Sequence, residues 1–172
     1  MEKIEIKKVT LNDIEPLQKI GRQTFFETFH ESNTEENMKK YLEDGFSVDA
    51  LTEELTNEDS AFYFALDNDE VIGYLKLNTG AAQTEAQDKK SLEIERIYVL
   101  QDYHGKKIGQ ILYEKAIKTA MDMEADYVWL GVWEENLRAI KFYKKNGFVE
   151  FDKHIFVLGD DEQTDILMKK ML

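Results

Sequence analysis

The chain has 172 residues, 42% of them hydrophobic and 12% aromatic, enough for one domain with a proper core and too apolar for a disordered chain. It has no cysteine, which excludes a disulfide scaffold and thiolate metal sites and fits a reducing compartment. The net charge of −13 argues against nucleic acid as a partner, because phosphate binding needs a basic face.

The opening segment, MEKIEIKKVT, alternates and is charged, with no apolar h-region. No later stretch reaches the length of a membrane span. The expectation is a soluble, cytoplasmic protein with a single domain over 1–172. IEIKKV reads as a first strand. Ile14, Leu17, Ile20, Phe25 and Phe29 then recur at near-helical spacing behind Thr10 and Asp13, a capping pair. Pro16 is the only proline and is tolerated only in a first helical turn. NTEENMKKYLEDG predicts a second helix stopped by Gly45, and SVDALTEELTN a third capped by Ser47. From Glu27 to Glu70 fourteen Asp and Glu stand against Lys39 and Lys40 alone, a balance of −12. Such a segment either keeps the surface soluble or steers a cationic ligand.

AFYFALDNDEVIGYLKLN predicts two strands around the turn Asp67–Glu70, and TGAAQTEAQDKK a polar loop. SLEIERIYVL, residues 91–100, reads as a long strand. A helix follows from Gly109 to Met123, with Leu112, Ala116, Ile117 and Ala120 on one face. YVWLGVW is apolar enough to be a strand covered on both faces. NLRAIKFYKKNG predicts a helix with Asn136 near its start and Gly147 at its C-terminal stop. FVEF, HIFVL and TDILMKKM read as three closing strands. The strand–helix–strand crossover from Ser91 to Trp133 makes this an α/β (α+β) domain, a mixed central sheet flanked by helices.

Between the strand at 91–100 and the next helix lies His104–Gly105–Lys106–Lys107–Ile108–Gly109. A helix N-terminus carries unpaired N–H groups and the positive end of the dipole, so it attracts anions. Gly105 and Gly109 let backbone approach a phosphate, and Lys106 and Lys107 add charge. The stretch matches neither the Walker loop nor GxGxxG, and on its own it is equally an ordinary turn with solvated lysines.

The segment WLGVWEENLRAIKFYKKNGFVEF supplies the second signal. NLRAIKFYKKNGF resembles the pattern N-x-x-A-x-x-F-Y-x-x-x-G-F of the GNAT superfamily of acetyl-CoA-dependent N-acetyltransferases, and YHGKKIGQIL stands where that family has its pyrophosphate loop, [Q/R]xxGx[G/A]. Two positions depart: His104 replaces Gln or Arg, and Lys107 replaces a glycine. ETFHESNTEENMKKYLE, SLEIERIYV, WLGVWEEN and GDDEQTDILM further resemble the PaiA-type bacterial spermidine/spermine N-acetyltransferases. The resemblance implies acetyl-CoA as cosubstrate, a polyamine acceptor, and CoA contacts from Ile97, Tyr98 and Val99, from His104, Gly105, Lys106, Lys107, Ile108, Gly109 and Gln110, and from Asn136 and Lys145. Asn136 either meets the pantetheine amides or caps its helix, and Lys145 either nears the CoA 3′-phosphate or stands in solvent.

Acetylating an amine requires removal of the ammonium proton, a polarised thioester carbonyl and a proton for the departing thiolate. Glu95, late in its strand, is the base candidate, with Glu93 two residues earlier as the other; either is otherwise a sheet-surface charge paired with Arg96. Tyr143 is the acid candidate, or a core tyrosine sharing a helix face with Ile140. Tyr41, Phe46 and Trp133 either wall an acceptor channel or belong to the core. His30, His104 and His154 show no ligand spacing, so no metal is expected. Without cysteine, a thiol acyl-enzyme is impossible and transfer is direct. Two alternatives stand beside the polyamine acetyltransferase: an acetyltransferase for another amine (amino acid, antibiotic or protein N-terminus), and a non-catalytic acyl-CoA-binding regulatory module. A homodimer is compatible with the sequence.

Overall fold

The computed structural model describes residues 4–85, 87 and 89–172. Residues 1–3 of the charged opening segment and 86 and 88 of the polar loop lie outside the described residues. Seven strands form one sheet in the order β1-β2-β3-β4-β5-β7-β6: β1 Ile4–Lys8, β2 Ser60–Asp67, β3 Glu70–Asn78, β4 Ser91–Val99, β5 Tyr127–Trp133, β6 Val149–Leu158 and β7 Asp161–Met171. Five α-helices cover it: α1 Ile14–Phe29, α2 Glu35–Gly45, α3 Val48–Thr56, α4 Ile108–Asp122 and α5 Leu137–Lys145. This is the expected mixed sheet flanked by helices.

Local chemistry sets most boundaries. Thr10 and Asp13 form a reciprocal capping box ahead of α1. The hydroxyls of Thr34 and Ser47 accept from Asn37 N and Ala50 N to start α2 and α3. Pro16 falls in the first turn of α1, where its missing N–H is harmless. Asn68 and Asp69 both take positive φ, which turns β2 tightly into β3. One expectation is corrected: FVEF and HIFVL are a single strand, β6. Asp152 and Lys153 interrupt the apolar pattern like a turn, but they sit beside a register shift between Glu150 and Asp152 on the outer strand of the sheet. An edge strand tolerates such a bulge without breaking.

Burial divides across the sheet. Leu112, Ala116 and Ala120 of α4 pack on Leu92, Ile94, Val128 and Leu130 on one face. Leu17, Ile20, Phe25 and Phe29 of α1 pack with Phe62, Phe64, Tyr74 and Trp133 on the other. All pairings are antiparallel except β4 with β5. That parallel ladder covers only Ser91–Ile94 against Tyr127–Leu130, although β4 runs on to Val99 and β5 to Trp133. The two strands therefore splay, and the middle of the sheet opens at their C-terminal ends.

Candidate active site

A cavity of about 330 Å³ occupies the splay, and its lining includes Glu93, Glu95, Arg96, Tyr143, His154 and Asp165. A register shift between Lys76 and Leu77 leaves Glu95 as an extra residue on β4, since Lys76 pairs with Arg96 and Leu77 with Ile94. In a regular strand Glu95 and Arg96 would point to opposite faces. The bulge brings both into one charge cluster. Lys76 Nζ lies 2.5 Å from Glu54 Oε1 and 2.8 Å from Glu95 Oε1; Arg96 Nη2 lies 3.0 Å from Glu54 Oε1 and 3.2 Å from Glu95 Oε2. Two cations and two carboxylates thus form a closed, neutral quartet between α3, β3 and β4.

Asn78, fully buried, ties this quartet to Glu93. Its amide nitrogen donates to Glu95 Oε1 at 2.7 Å and to Glu93 Oε1 at 3.0 Å, and its oxygen accepts from Ser60 Oγ at 2.8 Å. Thr84 donates to Glu93 from its backbone N–H and its hydroxyl. The two carboxyls respond in opposite senses. Burial pushes Glu95 up, but the charges of Arg96 and Lys76 and the hydrogen bonds from Lys76 and Asn78 outweigh it, so the group is held below the usual carboxylate range. Glu93 is pushed above that range, first by burial and also by the nearby charge of Glu95, with hydrogen bonds from Thr84 and Asn78 opposing.

Tyr143 reaches the cavity from α5, packed against Phe142 and Phe148. Burial, with a smaller contribution from Tyr113, raises its phenol far above the ordinary value, so it stays protonated at neutral pH. Tyr143 belongs to the core and also lines the cavity, so its place in the core leaves the acid candidate within reach of a bound ligand. The same holds for Phe46 and Trp133, which are buried core residues and cavity walls at once, while Tyr41 packs against that core and also lines the cavity. Asn136 caps α5, its side-chain oxygen accepting from Ala139 N at 3.2 Å, and it also lines the cavity.

Beyond the splay, the turn 104–109 closes onto the end of β4. His104 Nε2 lies 2.9 Å from the carbonyl oxygen of Val99. Gly105 has φ +81°, and Lys107, the N-cap of α4, has φ +66°. Lys107 thus adopts the left-handed conformation that glycine favours, at a cost of roughly 1 kcal/mol for a residue with a Cβ. Lys106 and Lys107 are exposed, as are His104 and Lys145, whereas the side chain of Ile108 is buried in the core and only its backbone faces the turn. A Cβ built on Gly109 would meet nothing within 4 Å, so the backbone there is open to a ligand. Gln110 bonds Asn146 and ties α4 to the end of α5. Ile97, Tyr98 and Val99 lie on the splayed part of β4, hydrogen-bonded to β3 on one side and unpaired with β5 on the other.

Sequence reasoning missed Glu54, Lys76, Asn78, Thr84, His154 and Asp165. Lys76 and Asn78 carried a usable signal: a lysine and an asparagine inside the apolar strand YLKLN are polar groups that burial forces to find partners. Among the described residues no group of three or more His, Asp and Glu is arranged to hold a metal ion. No described helix is long and apolar enough to cross a membrane.

Residues 22–148 match the family described as acetyltransferase (GNAT). An uncharacterized N-acetyltransferase from the pepI 3′ region of Lactobacillus delbrueckii subsp. lactis is 41% identical over 172 residues, covering 100% of this chain and 99% of that protein. The spermidine N(1)-acetyltransferase of Thermoplasma acidophilum is 27% identical over 171 residues, covering 97% and 96%. The crystal structure of the PaiA N-acetyltransferase from T. acidophilum with coenzyme A superposes with a TM-score of 0.81 at 27% identity, covering 99% of each chain.

Proposed function

The chain belongs to the GNAT family of acetyltransferases and is an N-acetyltransferase that uses acetyl-CoA, and within that family we propose that its acceptor is a primary amine of a polyamine of the spermidine/spermine class. One observation carries the reading: the cavity at the β4–β5 splay presents Glu93, Glu95 and Asp165 together with a protonated phenol, Tyr143. The −12 balance over 27–70 and the likeness to the Thermoplasma spermidine acetyltransferase support a cationic acceptor.

In this reading the CoA pyrophosphate lies on the amides of the turn 104–110, where the N-terminus of α4 and the left-handed Lys107 present N–H groups to an anion. The pantetheine arm bonds the unpaired edge of Ile97–Val99, which places the thioester in the splay. The acceptor ammonium gives its proton, through water, to the Glu93–Glu95 pair. Glu93 receives it, because its proton affinity is raised, while Glu95 stays ionised under Lys76 and Arg96. The nitrogen lone pair attacks the thioester carbonyl, the C–S bond breaks and the thiolate takes the Tyr143 proton; the nitrogen, still carrying one proton too many for an amide, gives it up through water to the Tyr143 phenolate, which restores the phenol. Asn136 caps α5 with its side chain and so holds Tyr143 in position.

The test is thiol release from acetyl-CoA, read with DTNB, over spermidine, spermine, a diamine, a monoamine, an amino acid and a peptide with a free N-terminus. Polyamines should give the highest kcat/KM, and that advantage should shrink with added salt. Turnover of the amino acid or peptide without the polyamines would sink the polyamine reading; no thiol release with any amine would sink catalysis itself.

A further inference from the structure

We propose that Asp165, held by His154, is the docking site for the second, non-reacting ammonium of the acceptor. The proposal deepens the polyamine reading and rests on it. Asp165 on β7 lies opposite Trp133 of β5 on one side and His154 of β6 on the other, so the three residues form a row across the open end of the sheet. Both His154 and Asp165 line the cavity that holds Glu93 and Tyr143.

The charge count makes this end of the cavity different from the β4 end. Glu95 and Glu54 are matched by Lys76 and Arg96. Among the described residues Asp165 Oδ2 pairs with His154 Nε2 alone, at 3.3 Å, and the other ring nitrogen of His154 lies 2.8 Å from Glu85 Oε2. Among the described residues no lysine or arginine forms an ion pair with Asp165 or Glu85. One imidazole therefore stands between two carboxylates, and carboxylates only accept. A neutral ring can donate to one of them, and even a charged ring balances only one negative charge of two. Burial raises the Asp165 carboxyl, with the charge and hydrogen bond of His154 opposing. An ammonium supplies both the missing charge and the missing donors.

Space is provided by Gly131. A Cβ there would press on Leu167 Cδ2 at 3.3 Å and touch Asp165 Oδ2 at 3.6 Å and His154 Cε1 at 3.8 Å, so the bare backbone leaves room beside Asp165 along β5. Glu93 pairs with Trp129, two residues before Gly131, and Asp165 with Trp133, two residues after it. The proton-accepting end and the docking end therefore lie on opposite sides of this gap. An acceptor with a single nitrogen reaches only the first of them.

The experiment compares kcat/KM for a linear diamine and for the monoamine of equal chain length, in the wild type and in Asp165→Asn. The variant keeps side-chain shape and removes the charge. The wild type should prefer the diamine, and Asp165→Asn should cut the diamine-to-monoamine ratio about 10- to 100-fold, the range of one hydrogen-bonded charge, mainly through the amine KM. His154→Gln should lower the ratio less, because Asp165 then keeps its charge and loses only its orientation. Unchanged acetyl-CoA KM and thermal midpoint show that the variants are folded. A diamine preference that survives Asp165→Asn overturns this docking site and leaves the polyamine reading standing. Equal wild-type kcat/KM for the two amines overturns both.

Discussion

Replacing Lys76 by methionine keeps the length of the stem and deletes one charge from the quartet. Glu54 and Glu95 would then share Arg96, leaving an uncompensated negative charge beside Glu93. Removing one partner from a buried ion pair costs about 3–5 kcal/mol. Here Lys76 is 7% exposed but its two carboxylates are about one-fifth exposed, so water screens part of the loss. A figure below that range, roughly 2–3 kcal/mol, is the better one. For a chain of this size that lowers the thermal midpoint by about 5–10 °C near neutral pH. The loss has a pH signature. The folded-state pKa of Glu95 is depressed, so its contribution to stability is present above the unfolded carboxylate pKa and is lost as pH falls through the folded value. The gap between wild type and variant should therefore be widest near pH 7 and narrow below about pH 4. Urea denaturation across that range measures it. An unchanged midpoint at neutral pH, or a gap that does not narrow in acid, would refute the account of Glu95 as a carboxylate held ionised by its neighbours.

Tyr143→Phe should lower kcat on the order of 100-fold with little change in acetyl-CoA KM, because it removes a proton donor and keeps the packing; wild-type turnover would return Tyr143 to a purely structural role. Gly109→Val places methyl groups where the free protein has open space, so the fold should be untouched while acetyl-CoA KM rises about tenfold or more; an unchanged KM moves the pyrophosphate elsewhere. Glu95→Gln removes a negative charge that raises Glu93, so it lowers the Glu93 pKa. A base must be deprotonated to act, so the acid limb of kcat/KM should move to lower pH in this variant; a shift to higher pH, or none, would remove Glu93 from the base assignment.

The sequence by itself determined the family and most of the elements, though it split β6 in two. Caps at Thr10, Thr34, Ser47 and Asn136, the tight turn at Asn68–Asp69 and the NLRAIKFYKKNGF helix are local, since each is a contest between neighbouring backbone and side-chain groups a few residues apart. The turn 104–109 was equally legible, although its lysine at a glycine position hid the left-handed φ that the fold imposes there. Only the tertiary structure decided how the carboxylates differ. Glu93 and Glu95 are nearly alike in sequence context. Their proton affinities part because Lys76 arrives from β3, Glu54 from α3, and a bulge turns Arg96 to the same side, while Thr84 and Asn78 enclose Glu93. Asp165 and His154 became visible only when β6 and β7 folded against the splayed end of β5. Burial and charge pairing depend on distance through space, and residues such as Glu85 and His154, far apart along the chain, acquire that distance only when the sheet closes.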